Sequence, residues 1–68
     1  MINTNDILTV HFIGDTQLKP TIKILHRSNK TVTFKHDGEI VKRKVHNRDG
    51  QEFIYPFGQY SFSPIAYK

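Results

Sequence analysis

The side chains best able to bind a metal or move a proton near neutral pH are His11, His26, His36 and His46. The last three are spaced ten residues apart. A zinc centre needs ligands that converge, as in a helical His-x-x-x-His turn or Cys and His pairs at short spacing. Neither pattern occurs, and the chain has no cysteine, which also removes disulfides and thiolate catalysis. Ten residues is the length of a short strand plus its turn, so the spacing puts each histidine near a strand end. Asp15, Asp37 and Asp49 each adjoin a glycine and read as turn residues before general bases. A His46–Asp49 pair has no nucleophile beside it. Ser61 and Ser63 sit in no nucleophile elbow, and no glycine loop could cradle a phosphate. We therefore expect no enzyme, no metal and no other cofactor.

The remaining chemistry is charge. Nine of the ten Lys and Arg lie between Lys19 and Arg48, a segment whose acids are Asp37 and Glu39. Its net charge is +7, against +4 for the whole chain. Positive charge gathered in this way attracts anions, either phosphate backbones or acidic protein surfaces.

These residues must be positioned by a small scaffold. With 68 residues there is room for a single domain, 1–68, with a thin stability margin. Packing has to hold it, alone or with homo-oligomerisation. Hydrophobic content of 37%, with five Phe and three Tyr, argues for a folded domain. The first residues lack a signal-peptide pattern, and no apolar run approaches the roughly 20 residues of a membrane helix. The expectation is a cytoplasmic protein without membrane contact.

The apolar pattern has a period of two. Strands are expected at Ile7–Ile13, Thr21–Arg27, Thr31–His36, Ile40–His46, Gln51–Tyr55 and Tyr60–Ser63, with a loop over Gly14–Pro20. Asp37-Gly38 is a type I′ hairpin signal, and Asp49-Gly50 repeats its chemistry. The pattern predicts an all-β fold of five or six strands. An SH3-like barrel or a strongly bent antiparallel sheet comes first and an OB-like barrel second.

A two-residue turn at Asp37-Gly38 fixes the register. Phe34 then faces Val41, Thr33 faces Lys42, and Ile24 faces Phe34. One face collects Ile22, Ile24, Val32, Phe34, Val41 and Val45. The other collects Lys23, Arg27, Lys35, Lys42 and Lys44. Arg43 is the misfit on the apolar side and must reach past an edge or find an acid. Phe53, Phe57 and Phe62 are expected in the core. Tyr55, Tyr60 and Tyr67 can keep a polar end in water and stack on bases. Arg43, Arg48, Tyr55 and Tyr60 are additional contact candidates.

Arg27-Ser28-Asn29-Lys30-Thr31-Val32-Thr33 and Gly58-Gln59-Tyr60-Ser61-Phe62-Ser63-Pro64 resemble motifs of small uncharacterised bacteriophage proteins, written R-[ST]-x-K-x-V-T and G-x-Y-S-x-S-P. The resemblance spans roughly the last two-thirds of the chain. It implies a host-cytoplasm setting and carries no catalytic residues. Two functions remain open. One is a binding module that contacts nucleic-acid phosphates without sequence preference. The other is an inhibitor or adaptor that docks on an acidic host protein. Neither choice affects the fold expectation: circular dichroism should show β structure, and a helix content above about a third would refute the period-two reading.

Overall fold

Period-two alternation becomes strands β1 (Ile7–His11), β2 (Thr21–Arg27), β3 (Thr31–His36), β4 (Glu39–Lys44), β5 (His46–Arg48), β6 (Gln51–Phe53) and β7 (Ile65–Tyr67). The structure, a computed structural model, describes residues 1–14, 17 and 19–68. Among them there is no helix, and hence none long and apolar enough to cross a membrane. Five strands form an antiparallel sheet in the order β4-β3-β2-β1-β7, curled into a half-barrel. The other two, β5 and β6, form a small second sheet. This is the all-β, strongly bent architecture that the closely spaced turns require.

The concave side holds the core. Leu8, Val10, Ile24, Val32, Phe34, Ile54 and Ala66 are fully buried, with Ile2 and Ile22 nearly so. Val41 and Val45 pack against this cluster. A fully buried side chain of this kind contributes about 1.5–3 kcal/mol, so a chain this short depends on nearly all of them.

The Asp37-Gly38 hairpin has the expected register from His36↔Glu39 to Thr31↔Lys44. Both turn residues lie at positive φ, 50° and 80°, as a type I′ turn demands. Asp49-Gly50 repeats this at 52° and 88° between β5 and β6. Within the Gly14–Pro20 connection, Asp15, Thr16 and Leu18 lie outside the described residues.

Three expectations are corrected. The single return strand Ile40–His46 is two strands. At Val45 the backbone N–H turns to the Lys30 carbonyl, 2.8 Å away, and the chain then leaves one sheet for the other. Tyr60–Ser63 is a turn closed by the Ser63 N–H on the Tyr60 carbonyl. Its alternation has no core to face: Tyr60 is 57% exposed and Phe62 80%, with Phe62 at φ 60°. Phe62 is therefore not a core residue, and the last strand begins after Pro64. Phe53 and Phe57 are half-buried rather than central.

The third correction moves a charge. The β2–β3 register runs Ile24↔Phe34 and then His26↔Thr33, so a β-bulge inserts one extra residue at Leu25–His26. Beyond it, the faces of β2 are exchanged. Leu25 and His26 are both exposed, and Arg27 pairs with the buried Val32. Arg27 thus points to the concave side instead of joining the lysines.

A Cβ added at Gly38 would meet nothing within 4 Å. Gly38→Val should therefore cost only backbone strain, about 1–2 kcal/mol, and Gly38→Asn clearly less, because Asn tolerates positive φ. Urea unfolding measures both. A valine variant as stable as the parent would show that this turn does not hold the register.

Candidate nucleic-acid interface

The hairpin geometry brings four of the five expected cations onto the convex face. Lys23, Lys35, Lys42 and Lys44 are all exposed there. Lys42 stands opposite Thr33, Lys44 opposite Thr31, and Lys35 opposite Ile40. Among the described residues, no carboxylate pairs with any of these lysines. Two apolar side chains share this face, Leu25 at 44% and Ile40 at 65% exposure.

Arg27, the fifth, is committed to the fold. Its Nη1 donates to Glu52 Oε1 at 2.8 Å and its Nη2 to Oε2 at 3.1 Å, a two-pronged pair. Nη1 also reaches the Ile2 carbonyl, Nη2 the Asn29 carbonyl and Nε the Ser28 carbonyl. All five guanidinium donors are used. Glu52 Oε1 also accepts the Ile2 N–H at 2.8 Å. The hydrogen bonds from Arg27, and behind them the one from Ile2, hold the Glu52 carboxyl down to about 2 against the opposing effect of desolvation. Glu52 in turn raises the Arg27 guanidinium above its ordinary value.

The other candidates gather on the outer side of the second sheet. On β5 and β6, His46 pairs with Phe53 and Arg48 with Gln51, so these four share one face. Tyr55 continues that face. Ile65 and Tyr67 meet it from β7, which Ile54 and Ala66 join to β6 through reciprocal backbone hydrogen bonds of 3.0 and 2.9 Å. The result is a trough of two open hollows. The first, about 200 Å³, is lined by Arg48, Gln51, Phe53, Tyr55, Ile65 and Tyr67. The second, about 250 Å³, is lined by Arg43, Lys44, His46, Tyr55, Gly58 and Gln59. Tyr55 belongs to both.

The rings of this trough brace one another. His46 stacks on Phe53 at 5.4 Å and meets Tyr55 edge-on at 5.0 Å. Phe53 and Tyr55 form an edge contact at 5.6 Å, and His11 stacks on Tyr67 at 4.3 Å. Arg43 borders the second hollow without an acid. Its Nη1 donates to the Lys42 carbonyl at 3.1 Å, while among the described residues its buried Nε has no hydrogen-bond partner. The candidates Arg43, Arg48 and Tyr55 thus meet in one trough, whereas Tyr60 lies outside both hollows.

Three histidines rest on aromatic rings, the third being His36 on Phe57 at 4.8 Å. Among the described residues, no three His, Asp or Glu gather where they could hold a metal ion. The sequence reading had Tyr67 among the rings able to stack on bases but missed Phe53, His46 and His11 as parts of the trough. For Phe53 a signal existed: neighbours on a strand face opposite ways, and Ile54 takes the core side. No family model matches the chain, nor does any curated protein or solved structure.

The sign of the acid response follows from Glu52. Its folded value lies below its ordinary 4.5, so its contribution is complete above that pH. It is lost as the pH falls toward about 2. Asp6, lowered by the Asn3 N–H and then by Lys68, acts in the same direction. Glu52→Gln should be less stable than the parent at neutral pH by about 2 kcal/mol, because it leaves Arg27 without its charge partner. It should also lose less on acidification. Urea midpoints from pH 7 to pH 2 test this, and parallel curves for the two proteins would overturn it.

Proposed function

We propose that this chain is a non-enzymatic binding module that contacts nucleic acid mainly through backbone phosphates. The observation that carries the reading is the convex face: Lys23, Lys35, Lys42 and Lys44 are exposed on one side of the three strands β2, β3 and β4 and unpaired with acid among the described residues. Like charges on neighbouring strands repel mildly. A polyanion laid across them removes that repulsion and releases counterions. Such contact positions a backbone without reading sequence.

One observation favours a second reading. Ile40 and Leu25 are exposed among these lysines, and an apolar centre ringed by cations suits an acidic protein surface. In that case the module is an inhibitor or adaptor, and the resemblance to small phage proteins makes a host protein the natural target.

Titration of labelled oligonucleotides at several salt concentrations separates the two. Binding should weaken steeply between low and physiological salt. Each lysine removed should reduce the log–log salt slope by about one. Lys35→Glu with Lys42→Glu should abolish binding and leave the melting temperature within a few degrees, because both side chains are exposed. No affinity for any nucleic acid at low salt would remove this reading in favour of the protein partner.

A further inference from the structure

The trough beside the lysine face has a different character. One hollow is mostly aromatic, with Phe53, Tyr55 and Tyr67 around Ile65. The other is cationic, with Arg43 and Lys44 beside His46. Tyr55 is the wall between them. Arg48 stands at the far side of the aromatic hollow. A cation, a row of aromatic faces and a second cationic group follow one another along the molecule. A single strand has the same order of parts, phosphate, base and phosphate. A duplex does not, because its bases are stacked on one another and closed to a side-chain ring.

We propose that the trough takes a single-stranded nucleic acid, with an unstacked base among Phe53, Tyr55 and Tyr67 and an adjoining phosphate against Arg43 and Lys44. This deepens the nucleic-acid reading and rests on it. Arg43 lines the cationic hollow, and among the described residues its Nη groups make one hydrogen bond, Nη1 to the Lys42 carbonyl, so its guanidinium retains donors for a ligand. A phosphate oxygen is the acceptor a guanidinium fits best. The aromatic rings are already ordered by contact with one another and with His46 and His11. Stacking a base on them requires little further ordering of side chains. Among the described residues, no carboxylate lines either hollow.

Three probes of equal length test the proposal on the native protein: a labelled single strand, its duplex, and a single strand of abasic residues. The chain has no tryptophan, so the emission of Tyr55, Tyr60 and Tyr67 can be followed directly. The normal single strand should bind at least about ten-fold tighter than the other two and quench tyrosine emission. Tyr67→Ala should weaken single-strand binding roughly five- to hundred-fold and leave duplex binding unchanged, with Tyr67→Phe restoring it. Arg43→Gln should weaken the normal and the abasic single strands alike. Equal binding of all three probes, without tyrosine quenching, would overturn the single-strand proposal and leave the phosphate reading standing. No binding of any probe at low salt would overturn both. The comparison of probes on the unmodified chain decides the matter even where a variant fails to fold.

Discussion

The fork between Arg27 and Glu52 is the constraint on which this small fold turns. β2 belongs to the large sheet and β6 to the small one, and the two are not ladder neighbours. The ion pair bridges them across one end of the half-barrel. It also gathers both backbone groups of Ile2, which is almost wholly buried. The N-terminal segment is fastened in parallel. The Asn5 N–H reaches the Ile24 carbonyl, the Ile24 N–H reaches the Asp6 carbonyl, and Thr4 Oγ1 accepts the Arg27 N–H. Removing either charge would therefore loosen the second sheet and the Ile2 plug together. A half-buried charge pair is a weak source of stability in general, because desolvation offsets its attraction. This one is favourable because every guanidinium donor has an acceptor.

The bulge at Leu25–His26 makes that fork available. Without the extra residue, Arg27 would stand on the convex face, and Glu52 would lie on the inner face of β6 without a cation. The same bulge leaves Leu25 and His26 both exposed. One backbone irregularity thus assigns a cation to structure and exposes His26, which strict alternation would have turned inward. The trough depends on the same arrangement. Glu52 points inward to Arg27, so its strand neighbours Gln51 and Phe53 point outward, where Tyr55 and Tyr67 meet Phe53.

Much of the fold was legible because short-range chemistry determines it. Positive φ at Asp37-Gly38 selects the turn, the turn selects the register, and the register places six apolar side chains inward and four lysines outward. Long-range events were not legible. The bulge keeps the residue types of β2 and alters only the count of residues between pairing partners. Ile2 stands in a polar stretch that gives no sign of burial, and its place depends on a glutamate fifty residues away. Tyr60–Ser63 has the alternation of a strand, yet no core lies beneath it. Of the site, Arg43, Arg48, Tyr55 and Tyr67 were visible as candidates from charge and ring type. Their assembly was not, because the chain crosses between sheets at Val45, where the sequence reads as an unbroken strand.

The crossing at Val45 also bears on how charge and rings come to adjoin. β4 carries Lys42 and Lys44, and β5 continues it into the other sheet with His46 and Arg48. Lys44, exposed on the lysine face, also lines the second hollow beside His46. The lysine face and the aromatic trough are therefore successive parts of one surface. Long lysine side chains on the open sheet hold a backbone by charge alone, with a geometry that tolerates sliding. Rings braced against histidines accept a base only in a defined plane. On the proposed reading, a surface that passes from the first kind of contact to the second along a single continuous backbone draws in a polyanion over a broad area. It then rewards the strand whose bases are free to leave their stack.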